Sequence, residues 1–377
     1  MPPTVKDVTP IQTTALAAYL SEKIKREGPI TFCDWMEVAL YHPTQGYYCR
    51  SDRKRWGREG DYRTSPERSE LFAAAFARYF ASLYDELHRP AEWTIVEMGA
   101  GAGSFARGLL QCLQDFFPQV FQATRYLIDE RSASSRELAR EQVAAFADRV
   151  RFEPLGRVER IDPGIIFSNE LLDAFPVHRV TKKHGRLFEF YVNVTPAENF
   201  VWNLGDLSTS RLADRCRELE TELSEDQIVE ISLATEGWLA QVAEKLATGY
   251  LITVDYGAGA SSLHDASERF QGTLRAYSRH KFADNLLARP GDQDITTTID
   301  WTYVTRLGAK LGFEVVEFSS QDKFLLRAGL LEELARQSKA APNDAEKLRL
   351  STTAREMILP GGMSSSFQVL VQKRIST

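Results

Sequence analysis

The sequence predicts an α/β fold: a mostly parallel seven-stranded sheet, a helical region before it, and an α+β insertion after the fourth strand. Three observations predict it. From residue 94 onward, strand-length apolar runs appear at WTIVEM, RYLIDE, VRFEP and GIIFSNE, with helical stretches between the first three. That alternation is the pattern of βαβ units. The first of these runs passes through closely spaced glycines straight into a helical pattern, in IVEMGAGAGSFARGLL. Three later runs, GYLITVDYG, FEVVEF and SFQVLVQKR, complete seven strands, and the last two can pair antiparallel.

In chain order, the first ninety residues read as helices and loops. TALAAYLSEKIKREG, ITFCDWMEVALYHP and SELFAAAFARYFASLYDELHR space their apolar residues nearer 3.6 than 2. Before the third helix lies GYYCRSDRKRWGREGDYRTSPERSE, which ends in the helix-start signal Thr64-Ser65-Pro66-Glu67. Residues 177 to 245 interrupt the βαβ rhythm. VHRVTKKHGRLFEFYVNV alternates around a turn-like KKHGR, ENFVWNL adds a strand-like run, and a polar helical stretch follows. The expected organisation is therefore an N-terminal region over 1–90, a sheet domain over 91–176 and 246–377, and an inserted subdomain over 177–245.

Composition narrows the function classes. The chain has 377 residues, 43% of them hydrophobic, and a net charge of −6, opposite to the basic excess of a dedicated nucleic-acid binder. No apolar run reaches the roughly 18 residues that span a bilayer. Cys33, Cys49, Cys112 and Cys216 form no C-x-x-C pair, as expected of free thiols in a reducing compartment. No cluster with metal-ligand spacing appears, so no metal is expected. The start, MPPTVKDVTPIQTT, has neither signal-peptide nor transit-peptide order, so a cytoplasmic location is expected.

A glycine-rich strand-to-helix turn holds a nucleotide-like cofactor, and this one fits two patterns. Gly101, Gly103 and Ala106 satisfy the dinucleotide form G-x-G-x-x-A, whereas Glu97, Gly99, Gly101 and Gly103 satisfy E-x-G-x-G-x-G. The acid discriminates. A pyrophosphate needs the helix N-terminus without a nearby anion. S-adenosyl-L-methionine carries an ammonium and a sulfonium and no phosphate, so an acid is electrostatically favourable. A second acid should then accept the ribose hydroxyls from the end of the next strand. Glu130 is placed for that role, with Asp129 as its rival.

The further motifs align with one family. GDYRTSPERSELF, VEMGAGAG, SNELLDAFPVHRV, EISLATEGWL, LITVDYG, GTLRAYSRHK and PGDQDITTTIDWT occur in that order over most of the chain. In this the chain resembles the MidA-like methyltransferases, whose mitochondrial members are assembly factors of respiratory complex I. Ala100, Ala102 and Met98 depart from the usual motif, and 335–363 looks divergent, but no side chain the chemistry needs is removed. The resemblance implies a class I methyltransferase fold, S-adenosyl-L-methionine as cofactor, and a protein acceptor modified on arginine. A non-catalytic assembly chaperone and a small-molecule O- or N-methyltransferase are the alternatives.

The candidate site follows. Gly60, Asp61, Thr64 and Ser65 sit on a loop that can cover the cofactor, beside Glu97, Gly99, Gly101, Gly103, Glu130 and Asn169. An arginine acceptor is protonated at neutral pH, so carboxylates must hold it and localise its charge. Glu170 and Asp173, just after the fourth strand, would share one face if a helical turn starts there; acids decorating a helix start are the other reading. His280 could accept a proton. Asp255 and Tyr256 should face the same crevice, Arg275 and Tyr277 lie with His280 on the following loop, and Asp292, Asp294 and Thr296 read as a lid or turn. Phe188, Phe190, Tyr191 and Trp202, near Lys182, Lys183 and Arg186, look like an exposed docking surface for the protein acceptor, or else the insertion's own small core.

Overall fold

The computed structural model describes residues 14–52, 70–219, 223–278, 281–283, 285–359 and 363–374. Contacts group the described residues into two compact units. One takes those of Met1–Arg53 with Leu172–Gly237 and Ala258–Thr302; the other takes those of Lys54–Leu171 with Trp238–Gly257 and Tyr303–Thr377. This grouping cuts the chain at places other than the expected 90, 177 and 245. The helix Glu70–Glu86 packs with the large sheet, while the helices Ala15–Glu27 and Phe32–Tyr41 fall with the inserted strands.

In the sheet unit, seven strands lie along one path. They are β1 (Trp93–Met98), β2 (Thr124–Asp129), β3 (Val150–Phe152), β4 (Gly164–Asn169), β5 (Gly249–Ala258), β6 (Phe313–Ser320) and β7 (Phe367–Arg374). Their order is β6-β7-β5-β4-β1-β2-β3. Strands β1 to β5 pair in parallel, and β7 runs antiparallel to both β5 and β6. The chain thus starts in the middle of the sheet, moves outward through β2 and β3, and returns to β4 on the other side of β1. In such a sheet, ligands bind outside the carboxyl ends of the strands where the direction reverses, here between β1 and β4.

The core of this unit fixes that edge. Helix α1 (Glu70–Glu86) buries Phe72, Phe76 and Phe80 at i, i+4 and i+8. Helix α2 (Ser104–Phe116) contributes Phe105, whose ring stacks 4.2 Å from that of Phe167 on β4. Phe76 meets Phe167 at 5.2 Å and Phe324 at 5.0 Å. Each such buried ring stabilises the unit by about 1.5–3 kcal/mol. Strand β4 and the helix leaving the glycine turn are therefore pinned to each other.

In the other unit, an antiparallel sheet runs in the order Ile30–Thr31, Arg186–Val194, His178–Lys183, Ile228–Ile231, with Phe200–Gly205 paired to Arg186–Val194. The KKHGR turn forms as read: His184 and Gly185 take φ of 51° and 71°, which suits a tight hairpin. The aromatics expected to be exposed are not. Trp202 packs 5.6 Å from Phe190 and 5.1 Å from Phe32, and the Arg179 guanidinium lies 4.9 Å from the Trp202 ring. Phe188, Phe190, Tyr191 and Trp202 are all half-buried. Phe32, from the helix Phe32–Tyr41, packs on Trp202, which alternation along the strands alone could not reveal.

Candidate cofactor site

The turn after β1 takes the conformation its glycines permit. Gly99, Gly101 and Gly103 have φ of 71°, 54° and 82°, a region that side chains with a Cβ avoid. Gly103 is the N-cap of α2. A Cβ on Gly99 would stand 2.9 Å from Leu171 Cδ1, and one on Gly103 would stand 2.8 Å from the Ala139 backbone. The protein's own packing thus constrains both positions, Gly103 against backbone and Gly99 against a side-chain end.

The two motif acids have different partners. Glu97 is 4% exposed and accepts a hydrogen bond from Tyr126 Oη at 2.7 Å. Burial pushes its carboxyl up to about 8; the Tyr126 hydroxyl opposes the rise and nearby Glu130 adds to it. Glu130 accepts from Gly101 N at 2.9 Å and from Ser132 N at 2.7 Å. The carboxylate is thus held by backbone N–H groups at the end of β2, where a ribose-binding acid is expected. Its rival Asp129 is engaged elsewhere: it accepts from Leu155 N at 2.8 Å, and burial raises its carboxyl above the ordinary value. Sequence reading missed Tyr126. Parallel register sets Ile95 beside Tyr126 and Glu97 beside Ile128, so a tyrosine two residues before the acid's neighbour was the available signal.

At the end of β4, Asn169 Nδ2 donates to Glu170 Oε1 at 3.2 Å, while Asn169 Oδ1 is buried without a hydrogen-bond partner. Glu170 has φ of 52°, and its N–H donates to Val254 O at 2.9 Å. No helix begins here, contrary to the condition under which Glu170 and Asp173 would share a helix face. Glu170 itself lies outside helical geometry, and Pro176 disfavours helical geometry just before it. Asp173 belongs to the other unit, where it is 5% exposed and its carbonyl accepts from Thr297 N at 3.0 Å. Asp255 is fully buried near the end of β5, and Tyr256, half-buried, lies 5.5 Å from Phe367. Arg275 is exposed and Tyr277 half-buried on one short strand. Asp292 pairs with Arg50 at 2.5 Å, and Asp294 accepts from Tyr48 Oη at 2.6 Å. The lid-like segment is therefore tied down by its own acids. Gly60, Asp61, Thr64, Ser65 and His280 lie outside the described residues.

The residues present fit S-adenosyl-L-methionine. The glycine turn donates a backbone N–H to Glu130 and directly follows the strand that carries Glu97. Glu130 places a carboxylate beside the turn, and the buried Asn169 Oδ1 awaits a donor. When bound, this cofactor supplies a methyl group activated by its sulfonium.

Strand order and site together define a class I S-adenosyl-L-methionine-dependent methyltransferase. A family model described as "Putative S-adenosyl-L-methionine-dependent methyltransferase" matches residues 75–319. The chain belongs to this MidA-like methyltransferase family. It is similar to a COG1565 superfamily member from Burkholderia thailandensis solved with S-adenosyl-homocysteine: TM-score 0.84, 30% identity, covering 96% of this chain and 92% of that one. Among curated proteins it is 28% identical to the mitochondrial protein arginine methyltransferase NDUFAF7 homolog of Caenorhabditis elegans, over 87% of this chain and 79% of that protein. For the human mitochondrial protein arginine methyltransferase NDUFAF7 the figures are 24%, 78% and 69%. These relatives overturn the cytoplasmic expectation, since they are mitochondrial proteins by name. An unremarkable first stretch of sequence does not establish a compartment. Among the described residues, no helix is long and apolar enough to cross a membrane.

Proposed function

We propose that this methyltransferase modifies an arginine side chain of a protein, in a role tied to respiratory-complex assembly. The observation that carries the reading is Glu170, a carboxylate held at the reversal point of the sheet on a residue with φ of 52°. Non-glycine residues keep such a backbone at a cost of about 1–3 kcal/mol, and they cluster at functional sites. The relatives named protein arginine methyltransferases support the choice of acceptor. In this reading Glu97, Gly99, Gly101, Gly103, Glu130 and Asn169 hold the cofactor. Glu170 binds the acceptor guanidinium and concentrates its charge on the far nitrogens. The near nitrogen would then bond to the methyl carbon as the sulfonium–methyl bond breaks, leaving S-adenosyl-homocysteine, and would pass its proton to solvent. The roles of Asp173 and His280 as second carboxylate and proton acceptor, and of Gly60, Asp61, Thr64 and Ser65 in covering the cofactor, rest on the sequence alone.

The test is to incubate a mitochondrial extract with the protein and methyl-labelled cofactor, then hydrolyse the labelled products. Label in methylarginine supports the reading; label in another amino acid or in small molecules replaces it. Glu170→Gln should lower turnover about a hundredfold or more, with affinity for S-adenosyl-homocysteine nearly unchanged. Unaltered turnover would reduce Glu170 to a turn residue.

A further inference from the structure

Glu97 occupies an unusual setting for a carboxyl group. Its register neighbours are Ile128 on β2 and Phe167 on β4, and Phe105 stacks on Phe167 from α2. Among the described residues no lysine or arginine pairs with it, and one O–H, that of Tyr126, donates to it at 2.7 Å. Tyr126 is itself fully buried, and Glu97 is its partner. The other charged group that bears on Glu97 is Glu130, an anion. Apolar walls and a repelling carboxylate favour the protonated acid, and the single neutral donor, which opposes them, does not outweigh them.

We propose that Glu97 is a neutral acid in the free protein and gives up its proton when the cofactor's ammonium arrives, with Tyr126 as the positioning residue that holds the carboxyl for this exchange. The inference rests on the proposed place of Glu97 in the cofactor site. A cation beside the carboxyl supplies what the free site lacks, so the anion becomes the stable form and the proton passes to solvent. Tyr126 donates to either form and fixes which oxygen faces the ligand. Burial holds the free carboxyl near 8, so at pH 7 about 0.9 of a proton is bound before the ligand enters.

The proton inventory of binding tests this. S-adenosyl-homocysteine, which has the ammonium and lacks the sulfonium, is titrated calorimetrically in phosphate and in Tris, whose ionisation enthalpies differ. At pH 7 the protein should release close to one proton more per ligand than Glu97→Gln, and the excess should vanish by about pH 9.5. Tyr126→Phe removes the opposing donor, so its excess should persist to higher pH. Because Glu97→Gln could bind too weakly for titration, thermal melting of both ligand-free proteins from pH 5 to 9 gives a second measure. The parent should lose stability as pH rises and the variant should not. Equal proton release, or parallel melting profiles, would overturn the proposal. Excess release with S-adenosyl-L-methionine and none with S-adenosyl-homocysteine would also overturn it, by assigning the effect to the sulfonium. Failure of the parent to bind either ligand would instead overturn the cofactor site, and melting would still judge Glu97.

Discussion

Glu97 and Glu170 show how burial and backbone give two acids different work. For Glu97 the folded value of about 8 lies above its ordinary 4.5. The native state therefore holds a proton that the unfolded chain releases. Stability from the neutral acid is complete below about pH 4.5 and is lost as pH rises through about 8. The loss is on the order of a few kcal/mol, and denaturant midpoints between pH 5 and 9 would read it as a decline absent from Glu97→Gln. Glu170 differs because its cost is conformational. Glu170→Gly should raise stability by up to about 1 kcal/mol, since glycine adopts φ of 52° freely, while turnover collapses. A variant both less stable and fully active would refute this account of the strained turn.

The glycine turn is a hinge between β1 and α2 whose tolerances are unequal. Gly99→Ala meets the flexible end of Leu171, which can move, whereas Gly103→Ala meets the backbone of Ala139, which cannot. Gly103→Ala should thus cost about 2–4 kcal/mol, from left-handed strain plus overpacking, and Gly99→Ala about half that. Urea denaturation of the two variants would show it; equal losses would mean the contact with Ala139 relaxes. Across the same junction, Phe167→Ala removes the ring stacked on Phe105 and should cost about 3–5 kcal/mol. In the inserted sheet, Trp202 has the role of a core residue between Phe32, Phe190 and Arg179.

For the molecule as a whole, the division into two units sets where ligand effects should appear. All described residues assigned to the cofactor, from Glu97 to Asn169, lie in the sheet unit. A ligand at a hundred times its Kd stabilises the state it binds by about 2.7 kcal/mol. Saturating S-adenosyl-homocysteine should therefore slow amide exchange over residues 97–103 and 128–132, which carry the turn and its acids. Protection centred on Arg186–Val194 instead would place the cofactor in the wrong unit.

Much of this was legible in the sequence, because the strands and helices rest on local periodicity and the glycine turn on residue chemistry. All seven sheet strands and the three N-terminal helices follow from patterns a few residues long. Local signals of that kind do not report what covers a face or what lies across a sheet. The packing of Trp202 depends on Phe32, and the hydrogen bond on Glu97 depends on Tyr126, both distant along the chain. The turn at Glu170 likewise depends on a hydrogen bond to β5, some eighty residues further on, so a helix that the spacing of two acids allowed never starts. Pattern determined the elements and the cofactor chemistry; long-range packing decided which side chains are buried, which are charged, and which backbone is strained.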